Sequence, residues 1–240
     1  MPETIRTLED VLLDAQRLGW IGSAPLATAM AHARGFGAAP VDLPTVFADI
    51  GCGGGLPGLV LAFEWPDAEV VLIEGSAKRA DFLQRAAIDL GIGDRCSVLG
   101  ERAEAAGRRS GLRHRCDVVV ARGFGAPPVT AECASPLLRS GGHLLVSEPP
   151  RSGASSTSRS ASPLPPSAPP LSAAAPGSPG GGPDSDRSAT RWPQEGLAVL
   201  GMGVGESWET DFHYQSLVQE TLCPERFPRR VGIPGKRPIF

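Results

Sequence analysis

Val46-Phe47-Ala48-Asp49-Ile50-Gly51-Cys52-Gly53-Gly54-Gly55 is the stretch that decides the fold. Val46 to Ile50 is a short, mostly apolar run of buried-strand type. It runs directly into a glycine-rich turn, and Leu56 to Phe63 continues with the composition of a helix. Strand, glycine turn and helix in that order give a glycine loop its meaning. Glycine lets the backbone turn sharply and approach a ligand closely.

The same alternation extends downstream. Glu69 to Glu74 reads as a second strand, Ala77 to Leu90 as a helix with Phe82, Leu83, Ala86 and Leu90 on one face, and Cys96 to Leu99 as a third strand. Asp117 to Arg122 is a fourth, Val129 to Leu138 is helical, Gly141-Gly142 is a turn, and His143 to Ser147 is a fifth strand. Strands alternating with helices imply a mostly parallel sheet wrapped by helices on both faces, an α/β fold.

Upstream, Leu8, Val11, Leu12, Ala15 and Leu18 recur at helical spacing over residues 4–18, with Thr7 and Asp10 as a capping box. A second short helix is expected from Pro25 to about Arg34. Residues 150–190 are dominated by Ser, Pro, Ala and Gly. They bury too little apolar area to offset ordering entropy and are expected to form a disordered insert. Order resumes near Arg191-Trp192-Pro193. Gly196 to Gly201 reads as a loop or helix end, Phe212 to Glu220 as a late strand, and Arg226 to Phe240 as a basic, extended tail. The chain thus divides into a helical segment (1–40), a core (41–149), the insert (150–190) and a completing segment with the tail (191–240).

The 240 residues carry a formal charge of −3, with a pI near 5.8, so charge alone does not mark a nucleic-acid coat. Two local basic clusters remain as phosphate contacts: Arg108, Arg109, Arg113 and Arg115, and Arg226, Arg229, Arg230, Lys236 and Arg237. There is no long apolar run and no signal-peptide pattern, so a cytoplasmic protein without a membrane span is expected. The five cysteines are scattered without a CxxC pair, which argues against a disulfide framework or a metal site.

Three acidic or polar features flank the glycine turn. Asp49 precedes it and suits a cofactor that bears an ammonium group. Glu74 ends the second strand, where a carboxylate accepts hydrogen bonds from ribose hydroxyls. Arg102-Ala103-Glu104 follows the third strand, where an adenine can be gripped. Together they indicate a nucleoside cofactor. No Ser-His-Asp or paired-carboxylate arrangement is visible, and His32, His114, His143 and His213 sit in unrelated contexts.

At these residues the chain resembles the GidB family of bacterial 16S rRNA guanine-N7 methyltransferases. Gly51 to Gly58 is similar to its GxGxGLPG loop. Lys78 to Leu83 resembles its KRxxFL helix, Arg102-Ala103-Glu104 its RAE, and Leu137 to Gly142 its LLxxGG turn. Arg229 to Lys236 resembles the tail of some actinobacterial members. The resemblance implies a Rossmann-like class I methyltransferase with a seven-stranded sheet and S-adenosylmethionine as cofactor. It implies cofactor contacts at Gly51, Leu56, Ala103, Glu104 and Arg122, with Asp49, Gly53, Gly55 and Glu74 added from the local reading. It also implies 16S rRNA or the small subunit as partner and a monomer without metal. Guanine N7 carries a lone pair and no proton, so no general base is needed. The chain departs from the family at Ala31 to Phe36. It departs again at Ser147-Glu148-Pro149-Pro150, where the family's lysine-glycine pair is replaced by an acidic residue. Two alternatives stay open: methyl transfer to another substrate, and a non-catalytic cofactor binder.

Overall fold

The computed structural model describes residues 6–149 and 190–240. The insert expected at 150–190 lies almost wholly outside them. Seven strands form one sheet: β1 (Val46–Ile50), β2 (Glu69–Ile73), β3 (Cys96–Leu99), β4 (Cys116–Ala121), β5 (Leu138–Glu148), β6 (Met202–Glu209) and β7 (His213–Gln219). Their order is β3-β2-β1-β4-β5-β7-β6. The β3, β2, β1, β4 and β5 neighbours pair parallel, and β7 runs against both β5 and β6. The order reverses between β1 and β4, the position where open α/β sheets place their ligands, at the carboxyl ends of the strands.

The helices are α1 (Leu8–Arg17), α2 (Leu26–Arg34), α3 (Gly58–Glu64), α4 (Ala77–Asp89), α5 (Ala103–Ala106), α6 (Pro127–Ala134), α7 (Gln194–Ala198) and α8 (Ile233–Lys236). The Thr7–Asp10 capping box is present at the start of α1. Val11, Leu12 and Ala15 are buried, but Leu18, expected on the same face, caps the helix and is 54% exposed.

Strand alternation builds two cores. Phe47, Val70, Leu72, Val118 and Val120 point to the face covered by α1 to α4. Ala48, Ile50, Ile73, Val119 and Ala121 point to the other, packed by Leu137, Leu144, Trp192 and Leu217. Both faces of the central strands are therefore dry, which is why these strands read as continuous apolar runs rather than alternating ones.

Several bounds differ from the sequence expectation: the helix expected over Val129 to Leu138 is Pro127–Ala134, β2 and β4 each end one residue early, and the tail expected to be extended carries α8. α3 starts at Gly58, not Leu56, because the Gly58 N–H is the one capped, donating to Asp49 Oδ2 at 2.7 Å. β5 begins at Leu138 and runs through Gly141-Gly142; the expected turn is a strand irregularity, with a register shift opposite Cys116 and Val118. β6 had no expected counterpart, because Met202-Gly203-Val204-Gly205 lacks a strong strand composition. All five cysteines are buried and unbridged.

Candidate cofactor cleft

A cleft of about 620 Å³ opens at the carboxyl ends of β1, β2 and β3. Its floor is Gly51, Gly53 and Ile73; Glu74, Ala103 and Glu104 stand at its sides, and Phe124 closes one end. Gly51, Gly53 and Gly55 all have positive φ, at 70°, 58° and 104°, a conformation that L side chains rarely adopt. A Cβ at Gly51 would also fall 2.6 Å from Phe124 Cδ2. Glycine is thus required there by both backbone and neighbour.

The Glu74 carboxylate is 4% exposed and organised from three sides. Oε2 accepts from the Gly53 N–H at 3.0 Å; Oε1 accepts from the Ser76 N–H at 2.8 Å and from Arg79 Nη2 at 2.9 Å. These bonds fix it at the lip of β2. Each carboxylate oxygen has room for more than one donor, so the group keeps acceptor capacity toward the cleft.

Glu104 is committed differently from the sequence reading. Its Oε1 accepts from the Gly232 N–H at 3.0 Å, which pulls the C-terminal tail over the cleft. Burial works to raise its carboxyl, but bonds from Gly232 and its own backbone and the Arg102 guanidinium bring it below the ordinary value. Oε2 is buried and has no hydrogen-bond partner among the described residues, while Arg102 Nε lies 3.5 Å away as an ion pair. Its acceptor capacity is thus left to the Arg102 ion pair.

Of the nine residues expected to hold the cofactor, Gly51, Gly53, Glu74, Ala103 and Glu104 line the cleft; Asp49, Gly55, Leu56 and Arg122 do not. Strand phase explains two of the four. Asp49 and Arg122 share the face of Phe47 and Val120, opposite Ile50, Ile73 and Ala121. Asp49 is 0% exposed and supports the loop from below through Gly58, and its Oδ1 has no partner among the described residues. Burial raises its carboxyl to about 7, against the pull of the Gly58 bond and Arg122. Arg122 turns toward α2, with a long 3.4 Å contact to the Ala29 carbonyl. Gly55 packs under Leu59, where a Cβ would come within 2.5 Å of Leu59 Cδ1. Leu56 is 7% exposed in the α3-side core.

Arg122 lies beside a ring cluster. His32 stacks on Phe212 at 4.2 Å between centroids, and Tyr214 stacks on Trp208 at 5.2 Å and donates to the His32 carbonyl at 2.8 Å. Burial, helped by Arg122, lowers His32 to about 4, so the ring is neutral near pH 7.

The tail residues Gly232, Gly235 and Lys236 also line the cleft. Sequence reading placed a basic tail on the domain but not at this cleft. The signal was Gly232, which adopts φ 79° to start α8. The first basic cluster proves largely structural. Arg113 donates to the carbonyls of Gly107, Cys223, Pro224 and Phe227, and Arg108 to Pro228. Arg109 and Arg115 pair with Glu101 and Glu69. Arg230, Lys236 and Arg237 are exposed. Among the described residues no helix is long and apolar enough to cross a membrane, and no group of three or more metal-ligating side chains gathers.

The family model for rRNA small subunit methyltransferase G matches residues 39–152. The chain is 35% identical over 204 residues to the Ribosomal RNA small subunit methyltransferase G of Rubrobacter xylanophilus, covering 80% of this chain and 64% of that relative. It is 33% identical over 213 residues to the protein of that name from Chloroflexus aggregans, covering 86% and 73%. The chain thus spans less than two thirds of the Rubrobacter relative's length. Among solved structures, a putative O-methyltransferase from Klebsiella pneumoniae superposes with a TM-score of 0.55 at 14% identity, over 88% of each chain. Cofactor-bound Rv0187 from MTB gives 0.54 at 16% identity, over 87% of this chain and 88% of that one. These two share the Rossmann-like α/β fold of this chain.

Proposed function

Because the chain belongs to the rRNA small subunit methyltransferase G family, we propose that it uses S-adenosylmethionine to methylate N7 of a guanine in 16S rRNA. The observation that carries this is the Glu74 carboxylate, fixed by Gly53, Ser76 and Arg79 at the lip of a cleft floored by glycines. A carboxylate at the end of the second strand matches a ribose diol. Gly51 and Gly53 admit a ligand against the backbone, and Glu104 with the Ala103 backbone, both lining the cleft, matches the polar edge of an adenine.

Bound there, S-adenosylmethionine supplies an electrophilic methyl group on a sulfonium. The protein's part is to hold donor and acceptor in line and exclude water; proximity and orientation of this kind lower a barrier by about 7–11 kcal/mol. Guanine N7 offers its own lone pair, so the transfer needs no general base. The cations at the rim, Arg102 and Lys236, with Arg230 and Arg237 exposed beyond them, suit the phosphates of an RNA that must also present a base.

The test is transfer of tritiated methyl to 30S subunits and to naked 16S rRNA from cells lacking their own enzyme for this site, with Glu74→Ala as control. Label in rRNA that requires Glu74, recovered as 7-methylguanine, is the expected result. Intact cofactor binding with no label in either RNA would overturn it.

A further inference from the structure

A second, smaller cavity of about 260 Å³ sits beside the cofactor cleft, at the carboxyl ends of β4 and β5. We propose that it is the subsite for the acceptor base, and that Glu148 reads the Watson–Crick edge of a guanine held in it. The assignment rests on the methyltransferase function proposed above.

Position is the first argument. The small cavity and the cleft share two lining residues, Gly123 and Phe124, and no others. A transferred group moves between atoms about 3–3.5 Å apart, so the acceptor atom must lie at such a seam. Phe124 packs against Gly51 there, close enough that a Cβ on Gly51 would sit 2.6 Å from its ring. It offers a flat apolar face to a base, as aromatic side chains do for unstacked nucleotides. At about 260 Å³ the cavity is smaller than the roughly 300–1,000 Å³ typical of drug-sized ligands. It has room for one base and not for a run of nucleotides.

Polarity is the second. With N7 at the seam, the opposite edge of a guanine carries N1–H and N2–H₂, all donors. Glu148 lines the small cavity and not the cleft. Its carboxylate is prearranged: Oε1 accepts from Trp192 Nε1 at 2.8 Å, and Oε2 pairs with Arg191 Nε at 2.7 Å. The side chain is 19% exposed, and Trp192 is buried. Each oxygen retains a lone pair for a further donor. Adenine would present its acceptor N1 to the same carboxylate and be repelled. Discrimination of this sort comes from a fixed polar group that the wrong base leaves unpaired.

The test uses the full chain saturated with S-adenosylhomocysteine, and titrates guanosine and adenosine by ligand-observed NMR. Wild type is expected to prefer guanosine by about tenfold or more. Glu148→Gln, which can still accept from Trp192, is expected to lose that preference while binding S-adenosylhomocysteine as before. Arg191→Gln breaks the same ion pair but leaves the carboxylate, and is expected to keep the preference. If Glu148 served only to tie Arg191 to β5, the two variants would behave alike, and the proposal would fall. It would fall equally if wild type showed no preference for guanosine. A Glu148-dependent preference in a protein that labels neither 30S subunits nor 16S rRNA would keep the subsite and reject the rRNA substrate.

Discussion

Glu132 and Arg229, 97 residues apart in sequence, are joined three times over. Glu132 Oε1 accepts from both the backbone N–H and Nε of Arg229 at 2.8 Å, and Oε2 accepts from Nη2. Glu132 is 0% exposed on α6, whereas Arg229 keeps 27% of its side chain in solvent. The pair therefore sets the start of the tail that carries Gly232 and Lys236 to the cleft. Removing the arginine strands a buried carboxylate, a loss of about 3–5 kcal/mol in comparable pairs. Glu132→Leu removes the buried charge itself and leaves only a cation that already reaches solvent. Arg229→Ala is expected to lower the urea midpoint more than Glu132→Leu, and both to weaken cofactor binding. Equal midpoints would show that the buried carboxylate finds another partner.

Most of this tail was opaque in the sequence, while the loop was not. Val46 to Ile50 appears in the structure with the expected bounds, because a dry parallel strand followed by glycines has few competing solutions. Glu74 was legible because its position at the end of β2 is fixed by the fold. Asp49 on β1 and Arg122 just past β4 do not line the cleft, since one residue of strand phase moves a side chain across the sheet. The Glu104–Gly232 and Glu132–Arg229 contacts span 128 and 97 residues and leave no local pattern. Arg113 looked like a phosphate ligand because composition records charge and not the four carbonyls it serves.

Those carbonyls separate the arginines by experiment. Arg113 has a side chain only 11% exposed and holds residues 223–227 against α5. Arg113→Ala is expected to cost about 2–3 kcal/mol, since bonds from a charged donor to buried carbonyls are lost together. Arg115→Ala, removing an exposed pair with Glu69, is expected to change stability by less than about 1 kcal/mol. Arg230→Ala is expected to leave stability alone and reduce the salt dependence of 16S rRNA binding by about one ion. Filter binding across a salt series, with denaturation of each variant, checks all three. An unchanged salt slope for Arg230→Ala would remove it from the RNA surface.

At the loop, Gly51→Ala meets two obstacles at once. Its φ of 70° is costly for an L-residue, about 1–2 kcal/mol, and its Cβ would collide with Phe124. The ring stands between the two cavities, so its displacement disturbs both. Gly53 has open space around a Cβ, with the Trp20 carbonyl nearest at 3.7 Å. Gly53→Asn tolerates positive φ and keeps the N–H that Glu74 accepts; Gly53→Asp adds a charge to the same loop. Calorimetry is expected to show Gly53→Asn binding S-adenosylmethionine more tightly than Gly53→Asp, with Gly51→Ala losing thermal stability as well. Wild-type affinity in Gly53→Asp would mean that the loop does not face the cofactor.

Asp49 and His32 give stability opposite dependences on pH. Burial holds Asp49 at about 7 against an ordinary 3.8, so the folded chain keeps a proton that the unfolded chain releases between those values. Its contribution is full below about pH 4 and is lost as pH rises through 7. Burial and Arg122 hold His32 at about 4 against 6.5, so the unfolded chain binds the proton first. Its contribution is full above 6.5 and is lost as pH falls through 4. Between about pH 4 and 6.5 the two oppose one another, each with a limiting slope of about 1.4 kcal/mol per pH unit. Asp49→Asn is expected to gain stability relative to wild type as pH rises across that window, because the falling contribution is gone. His32→Gln is expected to lose stability relative to wild type over the same rise. Urea denaturation of the three proteins at half-unit steps from pH 4 to 8 reads both signs. A flat difference for Asp49→Asn would mean that the Asp49 carboxyl is ionised beneath the glycine loop throughout, with Arg122 as its counter-charge.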